Sequence, residues 1–207
     1  MIYSSKYIAQ AVAEFKKLPG IGEKTALRLV LHLLKQDMEK VKLFSEAISN
    51  LSTMIKYCSE CHNISDEEIC PVCKNPQRDR STICVVETIR EVIAIENTGV
   101  YNGVYHVLGG LISPIDGVGP ESLNIDSLIK RAENQTVREI IMALSPTMDG
   151  DTTIFFISKK IADLPHIKIT SIARGVSFGG ELEYTDELTL ARSIATRTPY
   201  EFYLVKS

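Results

Sequence analysis

Four of the chain's five cysteines fall within residues 58–73, as Cys58-x2-Cys61 and Cys70-x2-Cys73 with eight residues between the pairs. Two knuckles of that spacing place four thiolates around one tetrahedral zinc ion, and four thiolates leave no open position for catalysis. So short a segment cannot form a hydrophobic core of its own, and the metal replaces one. Disulfides are the other use of four cysteines, but the two-residue spacing inside each pair favours metal. His62 adjoins Cys61 and is not needed as a ligand; it reads as a surface residue or as support behind the ligands. Cys84 has no partner, lies in an apolar run and reads as core.

The 207 residues allow one large domain or two or three small ones. No run approaches 18 apolar residues, so no membrane span is expected. The N-terminus lacks the apolar core and cleavage site of a secretory signal. With knuckle-spaced cysteines, this points to the cytosol. A net charge of −3 argues against an extensive basic coat for nucleic acid, yet leaves room for a small basic footprint.

Apolar periodicity predicts helices over 5–17, 23–35 and 37–57, the last with a stripe of Val41, Phe44, Ile48, Leu51 and Ile55. These helices are expected to pack on each other or on another subunit. Beyond the cysteines the pattern changes. Strands are expected at 82–87, 104–108, 139–144, 167–173 and 201–206, and helices at 88–98, 125–133, 152–163 and 186–197. A glycine- and proline-rich loop spans 109–123. Short apolar strands alternating with helices predict an α/β fold around a parallel-rich sheet.

The segment LPGIGEKTALRL (18–29) reads as helix, glycine hairpin, helix. The glycines let hairpin amides approach a phosphate, and the second helix begins at the same point with its positive end. Lys24 stands near that start and Arg28 one turn on, on the same face. Together they can clamp a DNA backbone without reading sequence. Lys16 and Lys17 add local positive charge. The plainer reading is a helical hairpin that packs a core and carries solvated cations.

Glu87 ends the strand at 82–87, and Asp149-Gly-Asp151 follows the strand at 139–144. Carboxylates at strand ends can converge on magnesium. Alternatively Asp151 caps the helix expected from Thr152. The loop ARGVSFGGELEYTD (173–186) joins Arg174 to a run of glycines, suited to protein contact or to holding a phosphate. Nothing matches the P-loop pattern of ATP hydrolysis.

In order, LPGIGEKTALRL, CSEC…CPVC, ICVVE, YHVLGGLISPIDGVGP and IARGVSFGGELEYTDELTLARS resemble the RecR family of bacterial recombination mediators across essentially the whole chain. The resemblance implies a multidomain α/β protein. Its parts would be a helix-hairpin-helix domain (1–56), a four-cysteine zinc finger (57–78), a Toprim domain (79–174) and a C-terminal loop, helix and closing strand (175–207). It implies a non-enzymatic protein that forms dimers and ring tetramers on DNA. Such a protein works in the cytoplasm, at the nucleoid, with RecO and RecF, to place RecA on strands coated by single-strand-binding protein. Lys24 and Arg28, with Lys16 and Lys17 beside them, correspond to the DNA-channel cations. Cys58, Cys61, Cys70 and Cys73 correspond to the zinc ligands. Glu87, with Asp149 and Asp151, corresponds to acids that contribute to RecO binding. Many relatives carry Glu-Gly-Glu where this chain has Asp149-Gly-Asp151. Two aspartates look more like a magnesium-binding Toprim domain, which keeps two rivals in view: a magnesium-dependent nucleic-acid enzyme, and a protein-only scaffold.

Overall fold

The computed structural model describes residues 3–177 and 179–199, and these divide into two compact units, one up to Ile55 and one from Lys56 onward. The first unit is helical: α1 (Lys6–Phe15), α2 (Glu23–Leu34) and α3 (Met38–Met54). The α1–α2 hairpin closes over Val12, Ala26 and Val30, with Ile8, Ala11, Phe15, Ile21 and Leu27 around them. Gly20 makes the turn at φ +77°, a backbone conformation that side chains with a Cβ rarely adopt. The expected stripe on α3 is present but not buried. No residue of α3 is buried, and Phe44, Ile48 and Leu51 are each about half exposed.

The second unit opens with the cysteine module. A two-stranded antiparallel pair, β1 (Lys56–Tyr57) and β2 (Ile64–Ser65), precedes the short helix α4 (Pro71–Lys74). Then come β3 (Asp79–Val86), α5 (Ile89–Glu96), β4 (Gly103–Val107), α6 (Ile125–Ala132), β5 (Glu139–Met142), α7 (Met148–Ile161), β6 (Lys168–Ser171) and α8 (Glu187–Ala195). The sheet runs β4-β3-β5-β6 and every pairing is parallel. Parallel neighbours need crossovers, and α5, α6 and α7 supply them. The expected strand at 201–206 lies outside the described residues.

Alternation along β3 sorts side chains to two faces. Ile83 and Val85 join Leu108, Leu128, Ile140, Met142 and Ile157 on one side. Cys84 and Val86 join Val92, Tyr105 and Val107 on the other, where Val72 of the cysteine module packs against them. Both faces are therefore covered, as a parallel sheet requires. The module is part of this unit's second layer.

Two helix starts fix the geometry at the carboxyl ends of the strands. Thr88 and Glu91 form a reciprocal capping box on α5. Helix α7 begins four residues earlier than its periodicity suggests, because Thr147 accepts from the Gly150 amide and caps it. Asp151 is thus inside the first turn and is not the cap. A Cβ at Gly150 would run into the Ser145 carbonyl oxygen, which explains the glycine between the two aspartates.

Candidate nucleic-acid interface and zinc centre

The start of α2 is held by Gly22 in extended conformation, with no side chain capping it. The first amides of a helix have no partner within the helix, and here they stand beside the hairpin turn at the helix's positive end. Lys24 and Arg28 line one groove of about 430 Å³ with Leu27, Leu31, His32 and Lys35. Every charged residue on that groove is cationic. Neither Lys24 nor Arg28 makes an ion pair among the described residues. Lys16 and Lys17 differ: each already meets a carboxylate, Glu23 at 3.4 Å and Glu14 at 2.7 Å. His32 and Lys35 extend the basic face of α2, and their spacing of four and seven residues from Arg28 is the signal that marks them in the sequence.

The four cysteines come together as their spacing requires. Their sulfurs all lie within 4.8 Å of one another and all four side chains are buried. A tetrahedral ion with Zn–S bonds of about 2.3 Å sets sulfurs about 3.8 Å apart. The Cys61 and Cys70 sulfurs are 3.6 Å apart, close to that edge and far beyond a disulfide bond. Amides of Cys70 and Cys73 point at the Cys58 and Cys70 sulfurs, as suits thiolates. The crowding is electrostatically costly without a cation. Hydrogen bonds from Cys61 and Cys73 pull the Cys70 thiol well below its ordinary value, while the bond to Cys70 pushes Cys61 up. The site therefore fits a structural Zn2+, which would hold all four cysteines as thiolates.

His62 is half-buried and stands behind the ligands, in agreement with the supporting role expected of it. It takes φ +61° at the knuckle, and its Nε2 meets Ser127 Oγ on α6 at 2.8 Å. Its ring stands edge-on to His106, 5.2 Å away. Two further bonds dock the module: the Val107 amide donates to the Cys61 carbonyl at 2.8 Å, and Arg80 donates to the Cys73 carbonyl.

The acids at the strand ends are not gathered. Glu87 Oε1 accepts from the Ser145 amide at 2.6 Å, tying the end of β3 to the loop after β5. Asp151 pairs with Arg174 at 2.7 Å, and the guanidinium holds its carboxyl below the usual range. Asp149 is half-buried. Among the described residues, the four cysteines form the one group placed to share a metal ion. Arg174 is thus committed to Asp151, on the wall of a cleft of about 870 Å³ that Arg192 and Arg197 also line. Cys84 is buried, and burial pushes its thiol up to about 12, as for an inert core residue.

Family models match the chain in sequence order. They are the RecR helix-hairpin-helix at residues 8–51, the RecR four-cysteine zinc finger domain at 55–75, the Toprim domain at 81–173 and the RecR C-terminal segment at 175–198. The Recombination protein RecR of Flavobacterium johnsoniae is 59% identical over 201 residues, covering 97% of each chain. That of Phocaeicola vulgatus is 58% identical over 196 residues, 95% of each. That of Cytophaga hutchinsonii is 57% identical over 202 residues, 97% of this chain and 98% of its own. The chain belongs to the RecR family. The RecR order of helix-hairpin-helix, four-cysteine finger, Toprim and C-terminal segment maps onto the two units: the first carries the hairpin, the second the finger and the parallel sheet. No helix among the described residues is long and apolar enough to cross a membrane.

Proposed function

We propose that this protein is a non-enzymatic recombination mediator that holds the DNA backbone through the start of α2. RecR proteins are non-catalytic mediators of DNA recombination, and the domain content of this chain is theirs. One observation supports the footprint most. The start of α2, where Gly22 is the cap and no side chain bonds the first amides, stands next to Lys24 and Arg28, two cations on one groove with no carboxylate partner among the described residues. Helix amides and long cations are the groups that bind phosphate without reading bases. One such hairpin binds weakly. Several displayed around an oligomer gain through effective concentration, which is the role we assign to a dimer or ring tetramer. Glu87, Asp149 and Asp151 then serve as a partner surface for RecO, with RecF as second partner, in the cytoplasm at the nucleoid.

The enzymatic alternative draws less support. A magnesium site needs converging carboxylates, whereas Glu87 is spent on the Ser145 amide and Asp151 on Arg174.

The test is the double variant Lys24→Ala/Arg28→Ala. Gapped-DNA affinity should fall, and the salt slope should flatten by about 1 for each phosphate no longer held, with the melting temperature unchanged. Normal binding by the variant would remove the assigned footprint.

A further inference from the structure

A second basic cleft lies in the other unit, between the cysteine module and α6. It has a volume of about 400 Å³ and is lined by Ser59 and Glu60 from the module, Arg80 from β3, and Ser127, Lys130 and Arg131 from α6. Cations in the last turn of a helix are common, because they answer its negative end. Lys130 and Arg131 alone would mean little. Two features set this cleft apart. The first is convergence: Arg80 arrives from a different element, so three cations face one carboxylate. Arg80 and Glu60 do meet, at 3.2 Å, but Arg80 is about half exposed and Glu60 about a third, so water screens the pair and it contributes little.

The second feature is that Arg131 is clamped. Its Nη1 donates to the Tyr105 carbonyl at 2.7 Å and to His106 Nδ1 at 3.0 Å. His106 is fully buried and gives its Nε2 hydrogen to the Asn124 carbonyl at 2.7 Å, which leaves Nδ1 as acceptor. Among the described residues no buried side-chain nitrogen lacks a partner, so the remaining nitrogens of Arg131 reach solvent. A guanidinium held on one edge and open on the other presents a fixed fork for a phosphate. Lys130, exposed and without an ion pair among the described residues, adds a mobile charge beside it.

We propose that this cleft is a second phosphate-binding station for the nucleic-acid backbone, built by docking the zinc module against α6. It deepens the DNA-binding reading and rests on it. The zinc module supplies one wall through Ser59 and Glu60, and the bonds from His62 to Ser127 and from Arg80 to the Cys73 carbonyl hold that wall in place. Zinc thus contributes to DNA binding without touching DNA.

The experiment is salt-dependent binding of a labelled gapped oligonucleotide to the full-length, zinc-loaded protein. Wild type, Lys130→Ala, Lys130→Glu and Lys24→Ala/Arg28→Ala are compared, with zinc content and melting temperature followed throughout. Lys130 is exposed, so both of its variants should fold and keep zinc. Lys130→Ala should flatten the slope of log K against log salt by about 1, and Lys130→Glu should weaken binding further. Unchanged affinity and slope in both Lys130 variants, while the α2 variant fails to bind, would overturn the cleft and leave the α2 footprint standing. Normal binding by the α2 variant, with weakened binding by Lys130→Glu, would do the reverse. Weakening that is equal at every salt concentration would also overturn the phosphate contact.

Discussion

His106 shows how much a single side chain can carry that its sequence position does not advertise. It lies in an apolar strand and is buried among carbonyls and a guanidinium, and burial first, then Arg131, drives its pKa down to about 3. Above about pH 6.5, the ordinary histidine value, folded and unfolded chains are both neutral at this position, and its contribution is fully present. As pH falls towards 3 the unfolded chain takes up a proton that the folded one refuses, so stability is lost through that window. Between pH 7 and 5 the loss from this residue should approach about 2 kcal/mol. His106→Gln can still donate to Asn124 and accept from Arg131, and it should lose correspondingly less over that range. Equal losses in urea melts of the two proteins would show that His106 is not held neutral. Placement was legible where spacing alone fixes it: the four cysteines gather, and Lys24 and Arg28 share one groove. It was not legible where the role arises from non-local neighbours. His62 reads as a surface residue or as support behind Cys61, and only the approach of Ser127, 65 residues on, shows what it bonds. Asp151 reads as a cap because nothing local reveals that Thr147 has already started the helix.

Among the elements, those with a strong local signal were readable. Pro19 and the glycines after it set the hairpin, and the β-branched run at 82–87 became β3. Register and layer were not readable, since the sheet order β4-β3-β5-β6 comes from pairings distant in sequence. The docking of the cysteine module was not readable either. Its spacing marks a zinc finger but not what the finger rests on: Val72 packs into the sheet's second layer, and the Cys61 and Cys73 carbonyls accept bonds from Val107 and Arg80. Losing a ligand should therefore be felt beyond the module. Cys73→Ser should empty the zinc site and cost on the order of several kcal/mol. It should also speed amide exchange at Val107 and along α6. Exchange that rises only within residues 56–74 would show that the module is an independent bead, and full retention of zinc would sink the four-ligand assignment.

At the scale of the whole molecule, the chain divides its chemistry between two units. The first presents a helix start with no side-chain cap and with Lys24 and Arg28 beside it, and also carries α3, whose Phe44, Ile48 and Leu51 are each about half exposed. The second builds a parallel sheet whose strand-end acids Glu87 and Asp151 are tied into the fold and whose four-cysteine site fits a structural zinc. A net charge of −3 spread over such a molecule permits DNA binding only through local basic faces. Backbone binding through several such faces releases counterions and is steeply weakened by salt, which contact with protein partners alone would not require. The most direct measurement is the affinity of the wild-type protein for gapped DNA from about 50 to 200 mM salt. The mass of the bound species and the integrity of the DNA with magnesium are read in the same samples. The expected result is binding by an oligomer, with a steep linear fall of log K against log salt and intact DNA. No retention of DNA at the lowest salt, or magnesium-dependent cutting, would contradict the reading of this protein as a backbone-holding, non-enzymatic mediator.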